Sequence, residues 1–217
     1  MNVLWLQTAG CGGCSMSLLC AEAPGVFDLL EGAGIEMLWH PSFSEATGGE
    51  VRALLAAIEA GEQRLDVLCV EGSILMGPGG TGRYQMMAGT GRSMLDWVRS
   101  LSALATHVVA VGTCATYGGV TSAGENLTDA MGLQYDGAHR GGALGAGFVA
   151  KGGLPVVNVA GCPTHPDWVT ETLMMLAEGD RGADFLIRHN PAWVDELEVD
   201  NAAVLRDFDT PDALAQW

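Results

Sequence analysis

The segment Val3-Leu-Trp-Leu-Gln-Thr-Ala-Gly-Cys-Gly-Gly-Cys-Ser15 places two cysteines in a glycine-rich turn directly after a short apolar run. The run Val3–Gln7 is apolar on both faces, which is typical of a strand buried within a parallel sheet. A serine cap and a helical pattern follow the second cysteine. The segment therefore predicts a strand, a turn and a helix, with Cys11 and Cys14 in the turn.

Similar apolar runs recur along the chain, and patterns of helical spacing lie between them. The further runs are Ile35–Trp39, Val67–Val70, Val108–Val111 and Val156–Val159, and the helical patterns are Ser15–Leu30, Glu50–Glu59, Met94–Leu104 and Asp167–Ala177. This alternation predicts an α/β fold, a doubly wound, flavodoxin-like parallel sheet with helices on both faces, over residues 1–178. Residues 179–217 lack the alternation, so we expect a short acidic C-terminal extension there.

The composition indicates one sizeable domain with a packed core, since 48% of the 217 residues are hydrophobic. The formal charge of −16 argues against nucleic acid as a partner and disfavours an anionic membrane surface, because like charges repel. The apolar runs are too short to span a bilayer and no export signal is recognisable, so we expect a cytoplasmic protein without a membrane span. Six cysteines in such a chain suggest metal or redox chemistry rather than disulfides.

Four of the cysteines are predicted to meet at one edge of the sheet. Cys11 and Cys14 follow the first apolar run, Cys114 follows the fourth, and Cys162 follows the fifth. Ligands of such folds collect at the carboxyl ends of the strands. Four thiolates can hold either zinc or a four-iron cluster. The spacing of one pair and two single cysteines, with a proline after Cys162, favours a [4Fe-4S] cluster, and zinc stays the alternative.

The remaining cysteines and two ionisable residues each allow two interpretations. Cys20 lies within the first helical pattern and Cys69 within the third apolar run, so both are expected to be small core residues. Cys20 alternatively substitutes for a lost ligand. Glu71 ends the third run and is expected either beside the bound group or as a loop or helix cap. His165 is expected either at the bound group or a partner interface, or at the start of a helix.

Two threonines and a glycine-rich stretch complete the candidates. Thr8 and Thr113 flank the cysteines and are candidates to donate their hydroxyls to the bound group. The stretch Gly77–Gly82 lacks the Lys-Ser/Thr ending of a phosphate-binding loop, so a nucleotide site is not expected. We interpret it as a flexible loop that contacts a partner.

Four motifs, in the same order, resemble those of [NiFe] hydrogenase small subunits. They are Trp5-Leu-Gln-Thr-Ala-Gly-Cys-Gly-Gly-Cys-Ser15, Glu71-Gly-Ser-Ile74, Gly112-Thr-Cys-Ala-Thr-Tyr-Gly-Gly-Val120, and Gly161-Cys-Pro163 followed by His165-Pro166. The match extends over about Met1–Leu176. The sequence after the second cysteine and the lack of a recognisable export signal look most like the cytosolic uptake and hydrogen-sensing members.

The resemblance implies that Cys11, Cys14, Cys114 and Cys162 ligate one proximal [4Fe-4S] cluster. This cluster would face a nickel–iron centre carried by a separate large subunit, in a heterodimer or a dimer of heterodimers. The chain would then be the electron-transfer subunit of an oxidoreductase acting on H2. It would exchange single electrons with the nickel–iron centre and pass them to, or take them from, an acceptor that the sequence does not identify.

Three alternatives stay open beside that implication. One is a hydrogen-sensing subunit with slow turnover that signals to a regulatory protein. Another is a zinc-stabilised binding domain. The third is the related cluster subunit of quinone oxidoreductases, although those proteins typically have adjacent cysteines in the first motif, whereas two glycines separate Cys11 from Cys14 here.

The chain also departs from the family pattern at several positions. Gly10 stands where many members have a glutamate implicated in proton movement, so such a route is not expected through this position. Gly13 and Gly119 stand where oxygen-tolerant members have additional cysteines, which predicts an ordinary cubane cluster. No cysteine follows Cys162, so a C-terminal module with medial and distal clusters is not expected.

Overall fold

The computed structural model describes residues 1–179. Within them the strands are β1 (Asn2–Gln7), β2 (Glu36–Trp39), β3 (Val67–Glu71), β4 (Ile74–Leu75), β5 (His107–Val111), β6 (Ala130–Met131), β7 (Tyr135–Asp136), β8 (His139–Arg140) and β9 (Val157–Val159). The helices are α1 (Gly13–Leu18), α2 (Val26–Gly32), α3 (Gly49–Ala60), α4 (Met94–Leu104), α5 (Gly112–Tyr117) and α6 (Pro166–Glu178), with a short 3₁₀ helix at Gly119–Ser122.

The longer strands form one parallel sheet in the order β2-β1-β3-β5-β9. This is the strand order of flavodoxin-like doubly wound folds, so the predicted fold class is confirmed. Gln7 at the end of β1 pairs with Glu71 at the end of β3, and Glu71 pairs with Val111 at the end of β5. The carboxyl ends of three neighbouring strands therefore lie level, and the loops that follow them share one edge.

Each face of the sheet has its own apolar core. Alternate residues of a strand point to opposite faces, so Leu4 and Leu68 pack with α3 and α4, whereas Trp5 and Cys69 pack with α1, α2 and α6. All five residues of β3 are buried, as expected for the central strand of a sheet covered on both sides. The predicted helices on both faces are therefore present.

The predicted first helix is wrong in its extent. Ser15–Leu30 was expected to form one helix, but two helices form, α1 and α2, with a turn between them. The turn contains Pro24, which lacks an amide hydrogen and cannot continue the helical hydrogen bonding. Cys20 lies in this turn and is exposed, so the prediction that it is a core residue is also wrong.

Helix α5 was not predicted from the sequence. It begins directly at the end of β5, where Gly112 has a φ of +85°, a conformation that favours glycine. The helix has six residues, fewer than two full turns, and such a short element gives no clear hydrophobic periodicity. It matters for the site because it carries Cys114.

No helix within residues 1–179 is long and apolar enough to cross a membrane. The predicted acidic extension, residues 179–217, lies outside the described residues apart from its first.

Candidate metal centre

The four predicted cysteines line one cavity at the carboxyl edge of the sheet. Cys11 lies in the loop after β1, Cys14 in the first turn of α1, Cys114 in α5, and Cys162 in the loop between β9 and α6. The cavity contains about 290 Å³ of empty space, part of which is open solvent. The topology thus assembles side chains that are up to 151 residues apart in sequence, from position 11 to position 162.

The cavity has a buried side and an open side. Cys14 and Cys114 are half-buried, whereas Cys11 and Cys162 are exposed. The exposed Tyr117 and Val120 follow Cys114 on the same segment. A group held by the four thiols would therefore be more accessible at Cys11 and Cys162 than at Cys14 and Cys114.

Glycine is required at two positions beside these sulfur atoms. A Cβ atom on Gly112 would collide with the Sγ atom of Cys14, and one on Gly119 would lie 2.6 Å from the Sγ atom of Cys114. Both glycines also have positive φ, at +85° and +58°. The backbone therefore approaches the thiols as closely as the covalent geometry of an amino acid permits, which leaves the cavity free for a ligand.

Backbone amides direct hydrogens at the sulfur atoms. The N–H of Gly13 donates to the Sγ atom of Cys11 at 3.3 Å. The backbone N–H of Thr164 donates to the sulfur of Cys14. Amide donors of this kind stabilise cysteine thiolates and tune the reduction potential of iron–sulfur clusters.

The electrostatic surroundings of Cys14 disfavour an isolated thiolate. The pKa of the Cys14 thiol is raised from 9.0 to about 11, chiefly by burial and to a smaller extent by the nearby Glu71, Cys11 and Cys114, against the lowering effect of the Thr164 hydrogen bond. A cationic metal group reverses this balance, because a coordinated thiol is deprotonated outright. The donor set is therefore suited to a positively charged group rather than to free thiolate chemistry.

Four thiols at one cavity are chemically suited to a [4Fe-4S] cluster, with zinc as the alternative. Within residues 1–179, no three or more His, Cys, Asp or Glu side chains are grouped so that they could hold one metal ion. The four cysteines nevertheless line the same cavity. A [4Fe-4S] cluster is ligated at four separate corners, so its thiols stand farther apart than those around a tetrahedral zinc. Residues Cys11, Cys14, Cys114 and Cys162 would hold such a group.

Glu71 connects the central strand to the cysteine loop. One carboxylate oxygen accepts hydrogen bonds from the backbone N–H groups of Cys14 at 2.9 Å and Ser15 at 3.0 Å. The other accepts from Trp5 Nε1 at 3.2 Å and from the hydroxyl of Ser15. The position of Glu71 at this edge is predictable from the sequence, but its partners are not, since contacts across 57 and 66 residues leave no local signal.

The loops that carry Cys114 and Cys162 are joined by a reciprocal pair of hydrogen bonds. Thr113 N–H donates to the carbonyl oxygen of Gly161 at 2.8 Å, and Gly161 N–H donates to Thr113 Oγ1 at 3.2 Å. The hydroxyl of Thr8 donates to the carbonyl oxygen of Glu71 at 3.0 Å rather than into the cavity. The threonines therefore support the backbone around the site.

Cys69, His165 and the stretch Gly77–Gly82 do not line the cysteine cavity. Cys69 is buried in mid-strand, as predicted, and burial raises the pKa of its thiol strongly. His165 directly precedes α6, and its ring lies 5.5 Å from that of the exposed Trp168. In the stretch Gly77–Gly82, both end residues donate backbone hydrogen bonds, to Thr128 and Met76, so the loop is anchored to the domain.

The comparison with protein families gives a clear assignment. Residues 11–176 match the family described as NADH ubiquinone oxidoreductase, 20 Kd subunit, and the chain belongs to that family. The match spans all four cysteines of the cavity.

The individual relatives that the chain resembles are hydrogenase small subunits. The chain is 30% identical over 189 residues to the F420 non-reducing hydrogenase I small subunit of Methanosarcina mazei, with 79% of this chain and 47% of the relative covered. It is 32% identical over 182 residues to the periplasmic [NiFeSe] hydrogenase small subunit of Desulfomicrobium baculatum, with 79% and 53% covered. The resemblance seen in the four motifs is therefore confirmed. The chain spans about half the length of these curated relatives.

Solved structures agree with the sequence comparison. The Actinobacterial-type NiFe-hydrogenase from Ralstonia eutropha H16 matches with a TM-score of 0.68 and 30% identity, over 92% of this chain and 56% of that one. The [NiFeSe] hydrogenase from Desulfovibrio vulgaris Hildenborough matches with a TM-score of 0.66 and 30% identity, over 87% and 61%. The flavodoxin-like domain is thus similar to hydrogenase small subunits in fold and in sequence.

Proposed function

We propose that this chain is the electron-transfer subunit of a hydrogenase and that Cys11, Cys14, Cys114 and Cys162 hold one [4Fe-4S] cluster. The observation that carries the proposal is that these four cysteines line one cavity, in which Gly112 has no Cβ atom that would collide with the sulfur of Cys14. When bound, the cluster supplies one-electron redox chemistry between the site of hydrogen activation and an acceptor.

The residues of this chain would orient the group and keep water from its inner side. Cys14 and Cys114 hold it on the buried side, and the amides of Gly13 and Thr164 direct their hydrogens at sulfur. Such donors favour the reduced, more negative state and so raise the reduction potential. Cys11 and Cys162, both exposed, would face outward toward a partner.

The partner in this proposal is a hydrogenase large subunit that carries the nickel–iron centre. The exposed Tyr117 and Val120, which follow Cys114 on the same segment, provide apolar contact area for such a partner. A heterodimer formed there would bury the cluster and shorten the distance over which an electron moves. The assembly into dimers of heterodimers, the acceptor and the cytoplasmic location stay predictions, and the relative from Desulfomicrobium baculatum is named as periplasmic.

The test is anaerobic purification of the full chain, alone and together with its large subunit, followed by metal analysis. About four irons and four sulfides per chain are expected, with nickel present only when the large subunit co-purifies. The variant Cys162→Ser should lose most of the iron. The matched control Cys20→Ser should keep it, because Cys20 is exposed and lies outside the cavity.

Two results would contradict the proposal. A colourless protein with one zinc per chain would instead support a zinc-stabilised binding domain. Equal iron content in Cys162→Ser and in the unaltered chain would remove Cys162 from the ligand set. Turnover of H2 with an artificial acceptor then separates an enzyme from a sensor, since a sensory complex is expected to turn over slowly.

A further inference from the structure

Glu71 makes an unusually complete set of hydrogen bonds for a buried carboxylate. Its side chain is 3% exposed, and its two oxygens accept from two backbone amides, an indole and a hydroxyl. All four partners are donors, which suits the acceptor-only oxygens of a carboxylate. The Glu71 carboxylate is therefore held at the end of the central strand, on the lining of the cysteine cavity.

We propose that Glu71 is a positioning residue for the cluster: it fixes the backbone of Cys14, and its charge lowers the reduction potential of the group that the cysteines hold. This inference rests on the proposed function and adds a role for a residue that is not itself a ligand. Two separate observations support the two parts of the role.

The backbone of Cys14 is held by Glu71 at the start of α1. Helix α1 has Gly12 at its N-cap, and this glycine has no side chain with which to hold the first amides of the helix. Glu71 takes that place from the neighbouring strand, because it accepts from the N–H groups of Cys14 and Ser15. Since β3 is the buried central strand of the sheet, the carboxylate ties the ligand loop to the core of the domain.

The backbone amide of Cys14 points toward Glu71. Its hydrogen is donated to the Glu71 carboxylate at 2.9 Å and is therefore unavailable to any sulfur atom in the cavity. The Gly13 amide, by contrast, donates to sulfur. Glu71 thus withholds one N–H donor from the site and adds a negative charge beside it, and both effects oppose the addition of an electron to the group.

Two substitutions separate positioning from charge. Glu71→Gln keeps an acceptor oxygen for the amides of Cys14 and Ser15 but removes the charge. Glu71→Ala removes both. Glu31→Gln is the matched control, because Glu31 is an exposed carboxylate near the end of α2. The chain enters β2 after this helix, so Glu31 lies toward the amino edge of the sheet, opposite the cysteines.

The readouts are iron per chain, the midpoint potential from a redox titration followed by electron paramagnetic resonance, and iron loss to a chelator. Glu71→Gln should retain the iron of the unaltered chain and shift the midpoint potential in the positive direction. Glu71→Ala should lose iron about tenfold faster, the lower range seen when residues that support metal ligands are removed. Glu31→Gln should change neither quantity.

An unchanged midpoint potential in Glu71→Gln, with iron retained, would overturn the charge role. Equal iron loss from Glu71→Ala and Glu31→Gln would overturn the positioning role. If Glu71→Ala fails to fold, Trp5→Phe serves instead, because it removes only the indole donor to the carboxylate and leaves that charge less neutralised. It should shift the potential in the negative direction, and no shift would contradict the inference. Failure of the proposed function is distinct, since the unaltered chain would then bind no cluster.

Discussion

Gly112 and the Sγ atom of Cys14 are so close that no Cβ atom fits between them. Gly112 is the first residue of α5 and Cys14 lies in the first turn of α1, so this contact fixes how closely these two segments of the site approach each other. The same glycine has a φ of +85°. Its small size and its backbone conformation are therefore both needed for the shape of the cavity.

Replacement of Gly112 by alanine is expected to abolish or strongly reduce cluster binding. The added methyl group would displace the Cys14 sulfur, and metal sites lose about tenfold or more in affinity when the groups that hold their ligands are disturbed. The left-handed backbone adds a strain of about 1–2 kcal/mol to the folded chain. Iron per chain and visible absorption after anaerobic purification measure the effect.

Gly145→Ala is the control for backbone strain alone. Gly145 has the same φ of +85°, but a Cβ atom there meets nothing within 4 Å. This variant should lose a similar amount of thermal stability and keep its iron. If both variants kept full iron content, steric clearance at Cys14 would be unimportant for the site.

Cys69 provides a test of the core rather than of the site. Its side chain is wholly buried between Trp5, Val109 and other apolar neighbours. Cys69→Ser would bury a hydroxyl among these apolar side chains, which offer it no hydrogen-bond partner. The free energy of unfolding is expected to fall by about 1–3 kcal/mol. Urea unfolding measures the loss.

Cys20→Ser is the matched control for Cys69→Ser. Cys20 is exposed, and its thiol makes only a long contact of 3.8 Å with the carbonyl oxygen of Met16. The stability of this variant should stay within about 0.5 kcal/mol of the unaltered chain. A larger loss from Cys20→Ser than from Cys69→Ser would contradict the packing described for both.

His40 should make the domain less stable in mild acid. The ring is buried, stacks on Phe43 at 3.8 Å and lies 4.9 Å from Trp5. Its Nδ1 accepts the Ser42 N–H at 3.0 Å, and burial lowers the pKa of His40 from 6.5 to about 4. Between these values the unfolded chain binds a proton that the folded chain does not, so stability falls as the pH falls from about 6.5 to about 4.

The size of this effect follows from the same two pKa values. The shift of His40 corresponds to a loss of at most about 3 kcal/mol once the pH reaches about 4. Urea unfolding at a series of pH values should give a shallower dependence for His40→Phe, which cannot titrate. Identical slopes for the two proteins over this range would show that another group dominates the acid response.

The sequence was sufficient for the fold class and for the meeting of the cysteines, because both depend on patterns that are local or topological. Apolar runs such as Val67–Val70 are long enough to identify buried strands, and the parallel arrangement then brings Cys11, Cys114 and Cys162 to one edge. The sequence also contains the break, at Pro24, but the apolar positions on both sides of it keep a helical spacing, and the predicted helix Ser15–Leu30 runs across it.

The finer features of the site depend on contacts between distant segments. Glu71 was recognised as a residue at the functional edge, but its hydrogen bonds to Trp5 and Ser15 depend on the register of β1 against β3. The clearance between Gly112 and Cys14 depends on the spacing of two loops. Neither has a signature within a short window of sequence, so only the packed structure reveals them.

Thr113 should control how firmly the loop of Cys162 is held. Its Oγ1 accepts the Gly161 N–H at 3.2 Å, while its own N–H donates to the Gly161 carbonyl oxygen at 2.8 Å. Valine has nearly the same shape, so Thr113→Val keeps the backbone hydrogen bond and leaves the Gly161 N–H without its side-chain acceptor. The loss is worth about 1 kcal/mol. Cys162 directly follows Gly161, so a looser Gly161 should also loosen this ligand. If the full 1 kcal/mol lowers the barrier to iron release, the release of iron to a chelator should become about fivefold faster.

Thr172→Val tests whether any threonine hydroxyl would have this effect. The Thr172 hydroxyl donates to the Trp168 carbonyl oxygen at 2.6 Å on an exposed part of α6, within one helix and away from the joined loops. Iron release from this variant should match that of the unaltered chain. Equal rates in Thr113→Val and Thr172→Val would mean that the reciprocal pair with Gly161 does not hold the loop, and that the backbone hydrogen bond alone suffices to keep Cys162 in place.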